Sequence, residues 1–328
     1  MERSLTWTDI QKAKERISGK VVHTPLIRSF PLEDRLGCKV FLKPEMFQVT
    51  GSFKARGALS KTLLLGPEER ARGFISSSSG NHAQALAYAG KLLGAKTTIV
   101  IPHDAPKIKI ERTQALGAEV ILFEGKQEPR WAFVNKLAEE RGYVLVHAFD
   151  DPAVMAGQGT IALEILEDLP DVDTVVVPLG GGGLLSGVSV GIKGAMPHVK
   201  VIGVEPSVAP KYCVSRANGR PTNVPAGHSI ADGVKAEMAC SFAHSVFERN
   251  VDAIEVVEER HIIEGLRLLA ESGKIFAEGA AAVGIAAVLS GKVKVSPQEK
   301  VCFVLSGGNW DLDQFLAVVK QGRFPVRA

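Results

Sequence analysis

Two hydrophobic periods alternate along most of this chain, and that alternation admits few architectures. Short runs rich in β-branched residues predict strands over 40–43, 74–77, 97–101, 119–123, 143–147, 174–177, 200–204, 253–257 and 301–305. The stretches between them predict helices over 52–65, 81–93, 106–117, 129–142, 157–169, 184–196, 259–272 and 279–289. Gly94, Gly117 and Gly142 stop three of these helices, and Pro106 and Pro129 open two. Strand–helix repetition of this kind builds α/β structure: mainly parallel sheets with helices on both faces. A chain of 328 residues exceeds what one core usually supports, so one large or two linked domains are expected. The boundary falls near 150–152, while the spacing leaves open which half the first seventy residues join.

Several function classes drop out early. The net charge is only +3, with both signs interspersed and no basic block, which points away from nucleic acid and membrane surfaces as partners. Four cysteines, Cys38, Cys213, Cys240 and Cys302, lie far apart and read as reduced core thiols of a cytoplasmic protein. The first ten residues lack the apolar core of a signal peptide. Residues 174–192 carry no charge, but Pro178 and four consecutive glycines break them into a buried strand, a turn and a helix start.

Three turns follow strands, where parallel α/β proteins place ligands. In Val177-Pro178-Leu179-Gly180-Gly181-Gly182-Gly183-Leu184, four glycines let backbone N–H groups approach an anion at a helix N-terminus, and a phosphate is the natural guest. A tight turn alone needs one or two glycines. A dinucleotide is the competing guest, with Glu205 ending the next strand where a ribose would be held. However, Leu185 and Ser186 stand where the third glycine of the fingerprint belongs. Ser76-Ser77-Ser78-Ser79-Gly80-Asn81-His82 offers hydroxyls and free N–H groups at a second helix start, suited to a carboxylate, where a plain N-cap needs one such residue. Leu305-Ser306-Gly307-Gly308-Asn309 is a ligand loop or a tight turn. Lys54, beside Phe53 and without a local carboxylate, has the setting of a Schiff-base lysine or of a solvated helix charge.

Together these segments resemble the fold-type II pyridoxal-phosphate (PLP) enzymes, in the branch of threonine dehydratases and serine racemases. The resemblance spans nearly the whole chain and rests on separated motifs in the family's order. These are Thr50-Gly51-Ser52-Phe53-Lys54-Ala55-Arg56-Gly57-Ala58, Ser78-Ser79-Gly80-Asn81-His82-Ala83-Gln84, Ala156-Gly157-Gln158-Gly159-Thr160, the four glycines, Ile230-Ala231-Asp232-Gly233 and Ser306-Gly307-Gly308-Asn309. It implies two open, mainly parallel sheets with PLP in the cleft between a large domain (1–70 plus 150–328) and a small one (71–149). It also implies that Lys54 carries PLP and takes the substrate's α-proton, that Phe53 packs beside the ring, and that Gly180, Gly181, Gly182 and Gly183 cradle the phosphate. Asn81 would meet the ring's phenolic oxygen and Ser306 its pyridine nitrogen, with Ser78, Ser79, Asn81 and His82 around the substrate carboxylate.

The activity so implied is loss of water and ammonia from a small β-hydroxy amino acid, threonine or serine, to give a 2-oxo acid. Ser79 is a racemase trait, an acid–base group opposite the lysine, and Arg130 matches a racemase arginine near the substrate. Ala236 and Glu278-Gly279-Ala280 lean towards dehydratases. A β-hydroxyaspartate dehydratase is a further reading, with Arg130 receiving the extra carboxylate. The family's divalent-cation site is altered: Glu205 and the Ala209 carbonyl are in place, but Lys211 stands where an acid belongs, so no metal is expected and Lys211 should pair with Glu205. The chain ends soon after its last helix, so isoleucine feedback through an added domain is not expected, and a homodimer is implied by the family alone.

Overall fold

The computed structural model describes residues 3–105, 107–125 and 129–321, so Pro106, expected to open a helix, lies outside the described residues. Among the described residues ten strands form: β1 (Ile27–Arg28), β2 (Lys39–Pro44), β3 (Phe74–Ser77), β4 (Thr97–Pro102), β5 (Glu119–Phe123), β6 (Val144–Leu145), β7 (Thr174–Pro178), β8 (Lys200–Pro206), β9 (Ala253–Val257) and β10 (Lys300–Leu305). They make a six-stranded sheet, β1-β2-β10-β7-β8-β9, and a four-stranded sheet, β5-β4-β3-β6. Of these strand pairs β1 with β2 is antiparallel and the others are parallel. The first strands of the chain therefore belong to the sheet built mostly by its second half.

The sequence explains the central strands well. Every residue of β7 is buried, which is why it reads as an unbroken apolar run rather than an alternation. On one side of the large sheet, helix Glu259–Glu271 buries Ile262, Gly265, Leu266 and Leu269 at helical spacing and leaves its charged face to solvent.

Several element ends differ from expectation, each for a local reason. The helix expected from 157 begins at Pro152, because the Asp151 side chain caps the N–H groups of Ala153 and Val154. The helix expected from 52 begins at Lys54, because Ser52 pairs with Gly307 in a β-bridge. The strand expected over 143–147 shortens to Val144–Leu145 at a sheet edge, and the last expected helix starts as a 3-10 turn, Gly279–Ala282, before Val283–Leu289. Helices Trp7–Ile17, Phe30–Leu36, Pro67–Arg72, Lys211–Asn218, Ser241–Asn250 and Leu312–Gln321 were not anticipated. Among the described residues no helix is long and apolar enough to cross a membrane.

The strand order fixes where a ligand can sit. From β7 the chain runs to β8 and β9 on one side, while β10 and β2 fill the other. From β3 it runs to β4 and β5, while β6 lies on the opposite flank. Each sheet thus reverses direction once, and a crevice opens at the carboxyl ends of the strands there. The turns after β7 and β10, the turn after β3 and the segment after β6 are the ones so placed.

Candidate active site

These four segments converge. The residues expected to meet cofactor or substrate line one cavity of about 490 Å³: Phe53, Lys54, Ser78, Ser79, Asn81, His82, Arg130, the glycines at 180–183, and Ser306.

The glycine turn is built for close approach. Gly182 has φ +98°, a backbone state that side-chain-bearing residues rarely adopt, and it starts helix Gly183–Ala195. A Cβ on Gly181 would lie 2.4 Å from the Phe149 ring. The result is a run of bare peptides at a helix N-terminus facing the cavity, where an anion is favoured.

Lys54 opens its helix from a turn pinned to the one after β10. The Phe53 N–H donates to the Ser306 carbonyl (3.1 Å), and the Gly308 N–H to the Gly51 carbonyl (3.0 Å). Asn309 links a third segment, donating to the Thr50 carbonyl (2.7 Å) and to Asn81 Oδ1 (3.0 Å). Lys54 Nζ donates to the Ala148 carbonyl after β6 (2.7 Å) and sits 5.1 Å from the Phe53 ring centroid. Burial pulls its pKa down to about 8, an effect that Glu278 partly opposes.

Behind the helix start at Asn81, His82 is buried with Nε2 3.1 Å from both Ser76 Oγ and the Val146 carbonyl. Ser76 already donates its hydroxyl proton to that carbonyl, so Nε2 carries the imidazole proton and Nδ1 is left as an unpaired acceptor. Burial and the Lys54 charge push the His82 pKa down to about 3, so the ring is neutral. At the other wall, Arg130 begins helix Arg130–Arg141, and its buried Nε has no hydrogen-bond partner among the described residues.

Two residues that sequence reasoning gave no site role belong here. Glu278 accepts from Asn81 Nδ2 with both oxygens (2.9 and 3.0 Å), and Ser306 Oγ lies 3.4 Å away. Burial raises its pKa, so an acid faces the cavity beside two groups expected to touch the ring. Its contact with Asn81 spans 197 residues, and no local pattern announces it. His147 stacks on Trp131 with centroids 4.5 Å apart and planes at 17°, and accepts from the N–H groups of Phe149 and Asp150, shaping the wall near Lys54.

Glu205 is committed elsewhere. Its carboxylate, fully buried, pairs with Lys211 Nζ at 2.9 Å and accepts from the Tyr212 and Cys213 N–H groups. That removes the acid a dinucleotide's ribose would require. The groups facing the cavity instead suit PLP and an acidic substrate: an amine with depressed pKa, bare peptides at a helix start for a phosphate, and a half-buried guanidinium whose Nε is left unpaired among the described residues.

The comparisons agree with that chemistry. The family described as "Pyridoxal-phosphate dependent enzyme" matches residues 17–307. The chain is 43% identical to an L-threonine ammonia-lyase of Thermotoga maritima over 318 residues, 97% of this chain and 79% of that protein. It is 38% identical to an L-threo-3-hydroxyaspartate ammonia-lyase of Saccharomyces cerevisiae over 314 residues, 96% of each. The structure of maize serine racemase superposes with a TM-score of 0.92 at 34% identity, covering 98% of both chains. Site, fold and relatives coincide, and the chain belongs to the fold-type II PLP-dependent enzymes, in the threonine ammonia-lyase and serine racemase branch.

Proposed function

We propose that the protein removes water and ammonia from a small β-hydroxy amino acid, threonine or serine, to give a 2-oxo acid. The observation that carries this reading is Lys54: a lysine with its pKa lowered to about 8, in a cavity walled by the glycine turn and the Ser-Ser-Gly-Asn-His turn. Bound PLP supplies the electron sink that makes the substrate's α-proton removable. Lys54 carries the cofactor, then as a free amine takes that proton. Gly180, Gly181, Gly182 and Gly183 hold the phosphate. Ser78, Ser79 and the N–H groups opening the helix at Asn81 hold the substrate carboxylate. Asn81 and Ser306 orient the ring, with Glu278 fixing the Asn81 amide. The two sheets and their helices serve as the large (1–70 plus 150–328) and small (71–149) domains around the cleft.

A second reading is supported by the unpaired Arg130 Nε: a substrate with a second carboxylate, such as 3-hydroxyaspartate, would satisfy it. One assay separates the readings. PLP-loaded protein is given L-threonine, L-serine and L-threo-3-hydroxyaspartate, and both 2-oxo acid and D-amino acid are measured. Threonine and serine should yield 2-oxobutyrate and pyruvate; D-serine without 2-oxo acid would establish racemisation by Ser79 and Lys54 instead. Arg130→Met should lower kcat/KM for the diacid about 10-fold or more and change threonine turnover less than about threefold. Equal losses on both would remove Arg130 from substrate selection.

The Lys211 ammonium takes the place of a divalent cation beside Glu205. EDTA should therefore leave activity within about twofold of its starting value, and loss reversed by Mg²⁺ would overturn this.

A further inference from the structure

We propose that Tyr212 is a positioning residue for the glycine turn: its hydroxyl locks the Gly181–Gly182 peptide in the orientation that presents the Gly182 N–H to the cofactor's phosphate. This rests on the phosphate-cradle reading of the turn. Tyr212 is fully buried, with its ring edge-on to Phe247 at 4.9 Å and 77°. Its hydroxyl accepts from the Cys240 N–H at 3.1 Å, so its own proton goes to the Gly181 carbonyl at 3.0 Å. Burial raises the phenol pKa, which keeps that proton in place at any working pH.

The geometry of a trans peptide does the rest. No cis bond occurs among the described residues, so the Gly181 carbonyl and the Gly182 N–H point in opposite directions. Tyr212 draws the carbonyl into the protein, away from the cavity that Gly181 and Gly182 line. The N–H is thereby turned outward. A peptide between two glycines has little steric preference of its own, and Gly182 sits at φ +98°, so an external hold is required to keep one orientation. The same hydroxyl closes the floor of the turn: a Cβ on Gly182 would lie 2.8 Å from it.

Tyr212 is itself fixed from behind. It is the second residue of helix Lys211–Asn218, and its N–H donates to Glu205 (3.0 Å), whose charge is balanced by Lys211 (2.9 Å). The buried ion pair thus sets the helix start, the helix start sets the ring, and the ring sets the peptide.

The test compares PLP with pyridoxal, which lacks the phosphate, by titrating each into apoprotein and following absorbance. Wild type should bind PLP far more tightly than pyridoxal. Tyr212→Phe should weaken PLP about tenfold and leave pyridoxal unchanged, since one charge-assisted hydrogen bond is lost. If wild type does not discriminate, the cradle reading fails and takes this proposal with it. If wild type discriminates and Tyr212→Phe does so equally, the cradle stands and the proposal is overturned. Should Tyr212→Phe not fold, 3,5-difluorotyrosine at 212 retains the ring and hydroxyl as a stronger donor. It should widen the PLP–pyridoxal gap, and an unchanged gap would overturn the proposal.

Discussion

Replacing Lys54 by alanine should lower kcat by about 10³–10⁴-fold or more while the protein remains folded. Among the described residues the side chain makes one hydrogen bond, to the Ala148 carbonyl, and no ion pair, so little of the fold depends on it. PLP should still be retained through the glycine turn, without covalent attachment. The same residue predicts a pH effect. Burial pulls its folded pKa to about 8, below the ordinary lysine value of 10.5. The unfolded chain therefore binds more protons between those two values, and apoprotein stability should rise with pH across that window. In Lys54→Ala that rise should disappear. Denaturation midpoints of both apoproteins between pH 7 and 10.5 measure it. A Lys54→Ala enzyme with turnover near wild type would place the base elsewhere.

The site was legible because unusual residues were crowded where ordinary turns need few. Four glycines after a buried strand and four serines before Gly-Asn-His exceed what a turn or a cap needs, and all four glycines and three of the serines, Ser77, Ser78 and Ser79, line the cavity. What stayed hidden is non-local or weakly periodic. Tyr212 meets Gly181 across 31 residues and Glu278 meets Asn81 across 197, and no spacing rule reaches that far. The helix Trp7–Ile17 carried readable signals, a Thr6–Asp9 capping box and buried Ile10, Ala13 and Ile17 at helical spacing. Helix Lys211–Asn218 carried only end signals, Pro210 before it and Gly219 after it, while the residues it buries are Lys211, Tyr212 and Ser215 and its start is held by a carboxylate from β8. Element ends slipped where tertiary contacts decide them, as at Ser52, expected to start a helix but taken into a bridge with Gly307.

Arg56→Met should be the most destabilising single change near the site, by about 3–5 kcal/mol. Arg56 lies two residues after Lys54 and its side chain is fully buried. Its fork grips Glu45 through Nε (2.8 Å) and a terminal nitrogen (2.8 Å), and Glu164 through both terminal nitrogens (2.6 and 2.8 Å). Lys43, also fully buried, adds a bond to Glu164 at 2.7 Å. Two cations thus balance two carboxylates where water cannot reach, and every arm of the guanidinium is used. Methionine fills similar volume but leaves Glu45 without its cation, and an uncompensated buried charge costs far more than a surface pair. Arg56→Lys restores the charge without the fork and should recover only part of the loss. The network is also acid-sensitive. Burial works against the Glu164 carboxylate, but Arg56 and Lys43 hold its pKa below the usual value. A depressed folded pKa means that this share of stability is present above the unfolded carboxylate range and is lost as pH falls through the folded value. Urea unfolding at pH 7 and pH 4 should show wild type losing more of its lead over Arg56→Met at the lower pH. A variant within about 0.5 kcal/mol of wild type at pH 7 would mean that the buried network contributes nothing net. Because the network ties the Lys54 helix to Glu45, just past strand β2, and to helix Pro152–Asp168, its loss should also reach the chemistry, lowering kcat through a looser Lys54 while the other groups facing the cavity remain in place.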